Sequence, residues 1–174
     1  AIASTIGSRG EADTACVDGA DFEYMGRALG LAERALSLNE VPVGCVIVHG
    51  PSNTVVAEAH NVGGDSNDAT MHCEIVALNR LGNACQPKIM ADCRIYVTCE
   101  PCVMCAYAIR LARIPTIIFG CFNNQFGGCG SILPILRNDP RRMHHSSRQQ
   151  HGRSQQLCLT PNIRAEEAAS LLKR

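Results

Sequence analysis

RIYVTCEPCVMCAYAIRLARIPTIIFG, residues 94–120, decides the fold. Arg94 to Thr98 is apolar and β-branched enough for a strand, and Pro115 to Gly120 repeats that composition. Between them Pro101 opens a helix running to about Ala112, proline being suited to the first helical position. Strands at 94–98 and 116–119 joined through a helix should lie parallel, with a right-handed crossover.

Working outward, Phe22, Met25, Leu29, Ala32 and Leu36 recur at helical spacing, which predicts an amphipathic helix over 21–38. Val43–Val48 and Thr54–His60 are short apolar runs on either side of Pro51-Ser52-Asn53 and read as an antiparallel hairpin. Asn61–Asp68 is a polar loop, and His72–Leu81 turns helical. The alternation of helix, hairpin, helix, strand, helix, strand is an α/β layer arrangement. The division that follows is a loose N-terminal segment over 1–20, a central domain over 21–137, a polar basic insert over 138–160, and a C-terminal helix within 161–174. The insert is rich in Arg, His, Ser and Gln without periodicity. The last helix should turn Ala165, Ala168, Ala169 and Leu172 to one face.

The 174 residues fit one domain with a real core, and the apolar share of 46% against 18% charged excludes a disordered chain. No stretch approaches the roughly 20 apolar residues of a membrane span, so no membrane partner is expected. Eleven Cys without an apolar leader in the first 30 residues, several of them inside apolar runs, read as reduced thiols in an intracellular protein of cytoplasm or nucleus. Net charge is zero but unevenly placed: residues 1–130 hold 8 basic and 13 acidic groups, residues 131–174 hold 8 and 3. The basic end, with Arg141, Arg142, Arg148, Arg153, Lys173 and Arg174, is either an electrostatic grip on a nucleic-acid backbone or a solvated charged loop. His144, His145 and His151 read as part of that loop rather than a second metal site, and Cys121 and Cys129 as core or loop thiols.

Two segments carry chemistry: His72-Cys73-Glu74 and Pro101-Cys102-Val103-Met104-Cys105, each at a helix start. Cys102 and Cys105, three apart in a first turn, point in nearly one direction and suit one tetrahedral zinc. Unpaired N–H groups there favour thiolate over thiol. His72 and Glu74, two apart, share no helix flank and converge only on something off the helix end, where a metal between two helix starts sits. Three protein ligands leave a fourth position for water, whose pKa zinc lowers to about 7. Glu74, close by without being a ligand, can move protons. Two plainer readings stand beside this one: a closed structural zinc knot completed by Cys99 or Cys73, and Cys102 and Cys105 as mere core cysteines. Neither calls for Glu74.

The His-x-Glu and Pro-Cys-x-x-Cys pattern is that of zinc nucleobase deaminases. The chain further resembles the tRNA adenosine deaminases of the cytidine-deaminase superfamily. The blocks that carry the likeness are Glu40-Val41-Pro42-Val43-Gly44, Asn61, Asp68 to Glu74 and Glu100 to Gly120. Phe126-Gly127-Gly128-Cys129-Gly130-Ser131 and Arg164-Ala165-Glu166-Glu167-Ala168 resemble the catalytic subunit of the eukaryotic heterodimeric enzyme more than the bacterial homodimer. The resemblance implies a three-layer α/β/α fold with a mixed sheet of about five strands. It implies Zn2+ held by His72, Cys102 and Cys105, Glu74 as proton shuttle, and Asn61 hydrogen-bonding the target base. The implied reaction turns wobble adenosine of the tRNA anticodon loop into inosine, with Glu74 protonating N1 and ammonia leaving. The implied partner is a related subunit that has lost its own catalytic Glu. The family usually has Ala where Cys73 stands, and the 138–160 insert is longer and more basic than the family pattern. A deaminase of a free base or nucleoside, and a non-catalytic zinc scaffold that binds RNA, are the competing expectations.

Overall fold

The computed structural model of the protein describes residues 19–84, 87–136 and 157–174. The helical stripe near the start forms α1 (Gly19–Ser37), which buries Met25, Ala28, Leu29, Ala32 and Ala35. Phe22, at the head of that stripe, stays half exposed. The expected hairpin is β1 (Gly44–His49) and β2 (Thr54–His60), antiparallel, its turn closed by Asn53 in the left-handed region at φ 51°. A single helical turn, α2 (Gly63–Ser66), lies inside the polar loop. Then come α3 (Cys73–Ala84), the short α4 (Pro87–Met90), β3 (Cys93–Cys99), α5 (Val103–Ala112) and β4 (Thr116–Cys121). Arg113, left-handed at φ 63°, ends α5 by turning its N–H back on the carbonyls of Ile109 and Arg110, and Pro115 keeps the helix from resuming. β5 (Cys158–Thr160) and α6 (Ala165–Leu172) complete the chain.

The five strands form one mixed sheet in the order β2-β1-β3-β4-β5. β1 runs antiparallel to both neighbours, whereas β3, β4 and β5 run parallel. Strand alternation sorts the core into two layers. Cys45, Ile47, Ile95, Val97, Ile117 and Phe119 face Ala77 and Leu81 of α3 and Ala106 and Ile109 of α5. Val46, Val48, Tyr96 and Ile118 face Met25, Ala28 and Leu29 of α1 and Ala168 and Leu171 of α6. The fold is therefore the expected three-layer α/β/α sandwich. Gly44 lets α1 lie close on the sheet, since a Cβ there would run into the backbone of Ala28 and Ala32.

Four expectations are corrected. Pro101 does not open α5: Cys102 is the N-cap, in extended conformation at φ −66° and ψ 169°, and the helix begins at Val103. The reason is tertiary: Pro101 and Cys102 pair with the following loop, through the Gly128 N–H to Pro101 O bond at 2.8 Å and a bridge between Cys102 and Gly127. The segment 138–160 is not all loose insert, for Cys158–Thr160 pair with Thr116–Ile118 as a parallel edge strand; residues 138–156 lie outside the described residues. Gly19 and Ala20, placed in the loose N-terminal segment, are the first turn of α1, and residues 1–18 lie outside the described residues. On α6 the buried pair is Ala168 and Leu171, while Leu172 is exposed. Among the described residues no helix is long and apolar enough to cross a membrane.

Candidate active site

β3 and β4 both end at the same edge of the sheet, with Cys99 and Cys121 in register, and both lead into the site. Ligands of open parallel sheets collect in such crevices at the carboxyl ends of strands. β3 runs into Glu100-Pro101-Cys102, and Cys102 starts α5, its carbonyl accepting from Ala106 N–H at 2.8 Å. His72 immediately precedes α3 and accepts from Val76 N–H at 3.0 Å. Two helix starts therefore meet, and the positive ends of the two helix dipoles give the site a positive bias.

His72 Nδ1 lies 3.6 Å from Cys102 Sγ and 3.5 Å from Cys105 Sγ. All three donor atoms fall within 4.8 Å of one another, the one such group among the described residues. With Zn–S near 2.3 Å and Zn–N near 2.0–2.1 Å, tetrahedral geometry separates neighbouring N and S by about 3.6 Å. The donor set fits zinc in number, type and spacing. Neither Cys73 nor Cys99 joins this group, so the closed-knot alternative finds no fourth ligand among the described residues.

Electrostatics follow from the crowding of these groups. The Cys102 thiol is pushed down to about 4, first by the hydrogen bond from the Cys105 thiol and then by His72 and the Cys105 N–H, against the cost of burial. Cys105 moves far up because it supplies that hydrogen bond and is buried. His72 is raised, chiefly by its bond to Cys102. Glu74 is only 3% exposed, and burial raises its carboxyl despite hydrogen bonds from its own N–H and the Cys73 thiol. The Cys73 Sγ donates to Glu74 Oε2 at 3.2 Å. Asn61 Oδ1 accepts the Cys73 N–H at 2.8 Å, so its amide is oriented with the NH2 edge left for another acceptor. A cavity of about 850 Å³ is lined by Asn61, His72, Glu74 and Cys102, the four polar site residues that the sequence pointed to apart from buried Cys105.

The profile of the cytidine and deoxycytidylate deaminase zinc-binding region matches residues 19–121, from α1 through the end of β4. The chain belongs to this family. It is a zinc-binding hydrolytic deaminase. The tRNA-specific adenosine deaminase 2 of Danio rerio is 38% identical over 157 residues, covering 86% of this chain and 67% of that one. A tRNA-specific adenosine deaminase of Streptococcus pyogenes is 40% identical over 129 residues, 74% of this chain and 79% of its own. A solved structure from a study of A-to-I editing by tRNA:A34 deaminases at the wobble position of transfer RNA superposes with TM-score 0.69. It is 29% identical and covers 86% of this chain and 98% of its own.

Within this deaminase the structure adds residues that sequence reasoning did not single out. Glu100, 2% exposed, accepts the N–H groups of Asn123 (3.0 Å), Cys129 (3.0 Å) and Ser131 (3.2 Å) and the Ser131 hydroxyl. In sequence it is one more acid beside a proline; the three glycines at 127, 128 and 130 were the only sign that something presses close there. Cys99 and Cys121 share a thiol hydrogen bond and are core thiols, as read for Cys121; Cys129 is partly buried in the loop. Lys173 and Arg174 are exposed at the end of α6, and Arg141, Arg142, Arg148, Arg153, His144, His145 and His151 lie outside the described residues.

Proposed function

We propose that this deaminase converts adenosine to inosine at the wobble position of tRNA, with zinc held by His72, Cys102 and Cys105. The observation that carries the chemistry is a buried carboxylate, Glu74, beside a three-donor metal group that opens onto one cavity. A scaffold has no use for that carboxylate, because burying it costs stability unless it has work to do. The substrate assignment is supported by the two relatives described above, both named as tRNA-specific adenosine deaminases.

Bound zinc would supply Lewis acidity, making water a competent nucleophile near neutral pH. The protein's own residues do the rest. Glu74 takes a proton from water, delivers one to N1 of the adenine ring, and passes one to the departing amine. The C6–N bond breaks, a C6–O bond remains, and ammonia leaves. A carboxyl raised by burial is suited to holding a proton between these transfers. Asn61, its carbonyl fixed by Cys73 N–H, offers its NH2 to an acceptor on the base. An anticodon loop suits this geometry, since its bases are unpaired and can be turned into a pocket.

The reading includes a related subunit lacking its own catalytic Glu. Its support here is the outer face of α5, where Met104, Tyr107 and Leu111 sit one and two turns apart with 37%, 54% and 65% exposure. An exposed helical stripe of that kind normally meets a partner.

The deciding experiment incubates the zinc-loaded protein, alone and with its associated subunit, with tRNA carrying wobble adenosine, and reads inosine. Inosine should form, and Glu74→Ala should abolish it with zinc still bound. Turnover of free adenosine, cytidine or guanine without RNA would overturn the substrate assignment, and full activity of Glu74→Ala would overturn its role.

A further inference from the structure

The loop after β4 presents side chains that metal binding and proton transfer leave unused. Phe122, Asn124, Gln125 and Phe126 line the cavity, yet Phe122 is 48% and Phe126 63% exposed. The backbone beneath them is fixed in advance. Glu100 holds it at Asn123, Cys129 and Ser131. Asn123 Oδ1 accepts the N–H groups of Gln125 and Phe126 at 3.2 and 3.0 Å. Phe126 O accepts Val103 N–H at 2.9 Å, so the loop is pinned to the first turn of α5. The Phe122 ring stands edge-on to Phe119, centroids 5.4 Å apart at 78°. Two aromatic rings are thus held out beside the reacting site by a mount that needs no ordering when a ligand arrives.

We propose that Phe122 and Phe126 are stacking platforms for the nucleobases on either side of the reacting adenosine, an inference that rests on the tRNA reading above. Three observations favour bases as the occupant. The surface is continuous with the cavity that holds Glu74, so whatever adjoins the reacting base must lie on it. The cavity, about 850 Å³, is nearer the top than the bottom of the ~300–1,000 Å³ range of small-molecule sites and exceeds what one base requires. Among the described residues no Lys or Arg lines it, whereas Asn124 and Gln125, between the two phenylalanines in sequence, line it with them, which favours a grip here through base faces and edges over one through phosphates.

The test is a double-mutant cycle between protein and RNA. The zinc-loaded enzyme, purified with whatever subunit accompanies it, is given an anticodon stem-loop with wobble adenosine, intact or abasic at either neighbouring nucleotide. Phe126→Ala and Phe122→Leu, the latter keeping an apolar contact with Phe119, are compared with the unaltered enzyme by binding and single-turnover inosine formation. Removing either neighbour base should weaken binding to the unaltered enzyme about tenfold. Each Phe variant should lose sensitivity to one of the two bases, and Phe126→Trp should keep it. Losses that simply multiply, variants that bind like the unaltered enzyme, or release of an accompanying subunit by Phe126→Ala would each overturn the stacking role. Absence of inosine from the intact stem-loop with the unaltered enzyme would instead overturn the tRNA reading, and the stacking role with it.

Discussion

Cys102 and Cys105 show how one side chain sets the state of its neighbour. With the Cys102 thiol pushed down to about 4 and the Cys105 thiol pushed up because it donates to Cys102, the metal-free pair should carry one proton at neutral pH. Zinc requires both as thiolates, so binding must expel the Cys105 proton. Zinc affinity should therefore rise with pH through neutrality, by about tenfold per pH unit for one released proton. His72, raised by Cys102, adds to the same trend. Titrations in buffers of differing ionisation enthalpy would read the proton directly, and a pH-independent affinity would refute the shared-proton arrangement. These residues were legible from sequence because metal ligation demands particular atoms at particular spacings. Glu100 was not, since a carboxylate that satisfies backbone N–H groups looks like any surface acid until the loop it holds is in place.

At the scale of elements, the junction between α5 and the 122–131 loop matters most. Gly128 sits against the helix start, where a Cβ would come 2.7 Å from Ala106 Cβ and 2.9 Å from Val103 Cα. Gly128→Ala should cost about 1–3 kcal/mol by overpacking, seen as a melting temperature lower by roughly 2–10 °C. Because Cys102 is part of that junction, zinc should also be lost faster to a chelator. Gly44→Ala, which disturbs α1 on the far face, should lower stability without that second effect. Equal zinc loss in both variants would sink the argument. Helices α1, α3, α5 and α6 and the 94–98 and 116–119 strands could be read from periodicity and composition, since each is long or strongly apolar; the single turns α2 and α4 could not. β5 could not: Cys158–Thr160 is three residues long and earns its place only by pairing with β4. The start of α5 differs from the sequence expectation for a related reason, as Pro101 is drawn out of the helix by Gly128.

Across the whole molecule, the two faces of α5 serve different ends. Ala106 and Ile109 pack into the sheet, and Met104, Tyr107 and Leu111 remain outside. If the proposed second subunit docks on this face, Leu111→Glu should weaken its association by tenfold or more, since buried interface anchors commonly carry that much. Zinc content and melting of the isolated chain should not change, because Leu111 is 65% exposed there. Sedimentation of the co-expressed pair would check it, and undiminished association would move the interface elsewhere. This face was invisible in the sequence, where the outward residues of 104–111 are as apolar as the inward ones.

Glu100 has a consequence for how such an enzyme can change. The carboxylate fastens the loop by main-chain hydrogens and one serine, and leaves the tips of Phe122, Asn124, Gln125 and Phe126 uninvolved. Substitutions at those tips can accumulate without shifting the backbone beside the candidate metal group, so on the reading proposed above preference among RNAs is free to drift while the reaction stays the same.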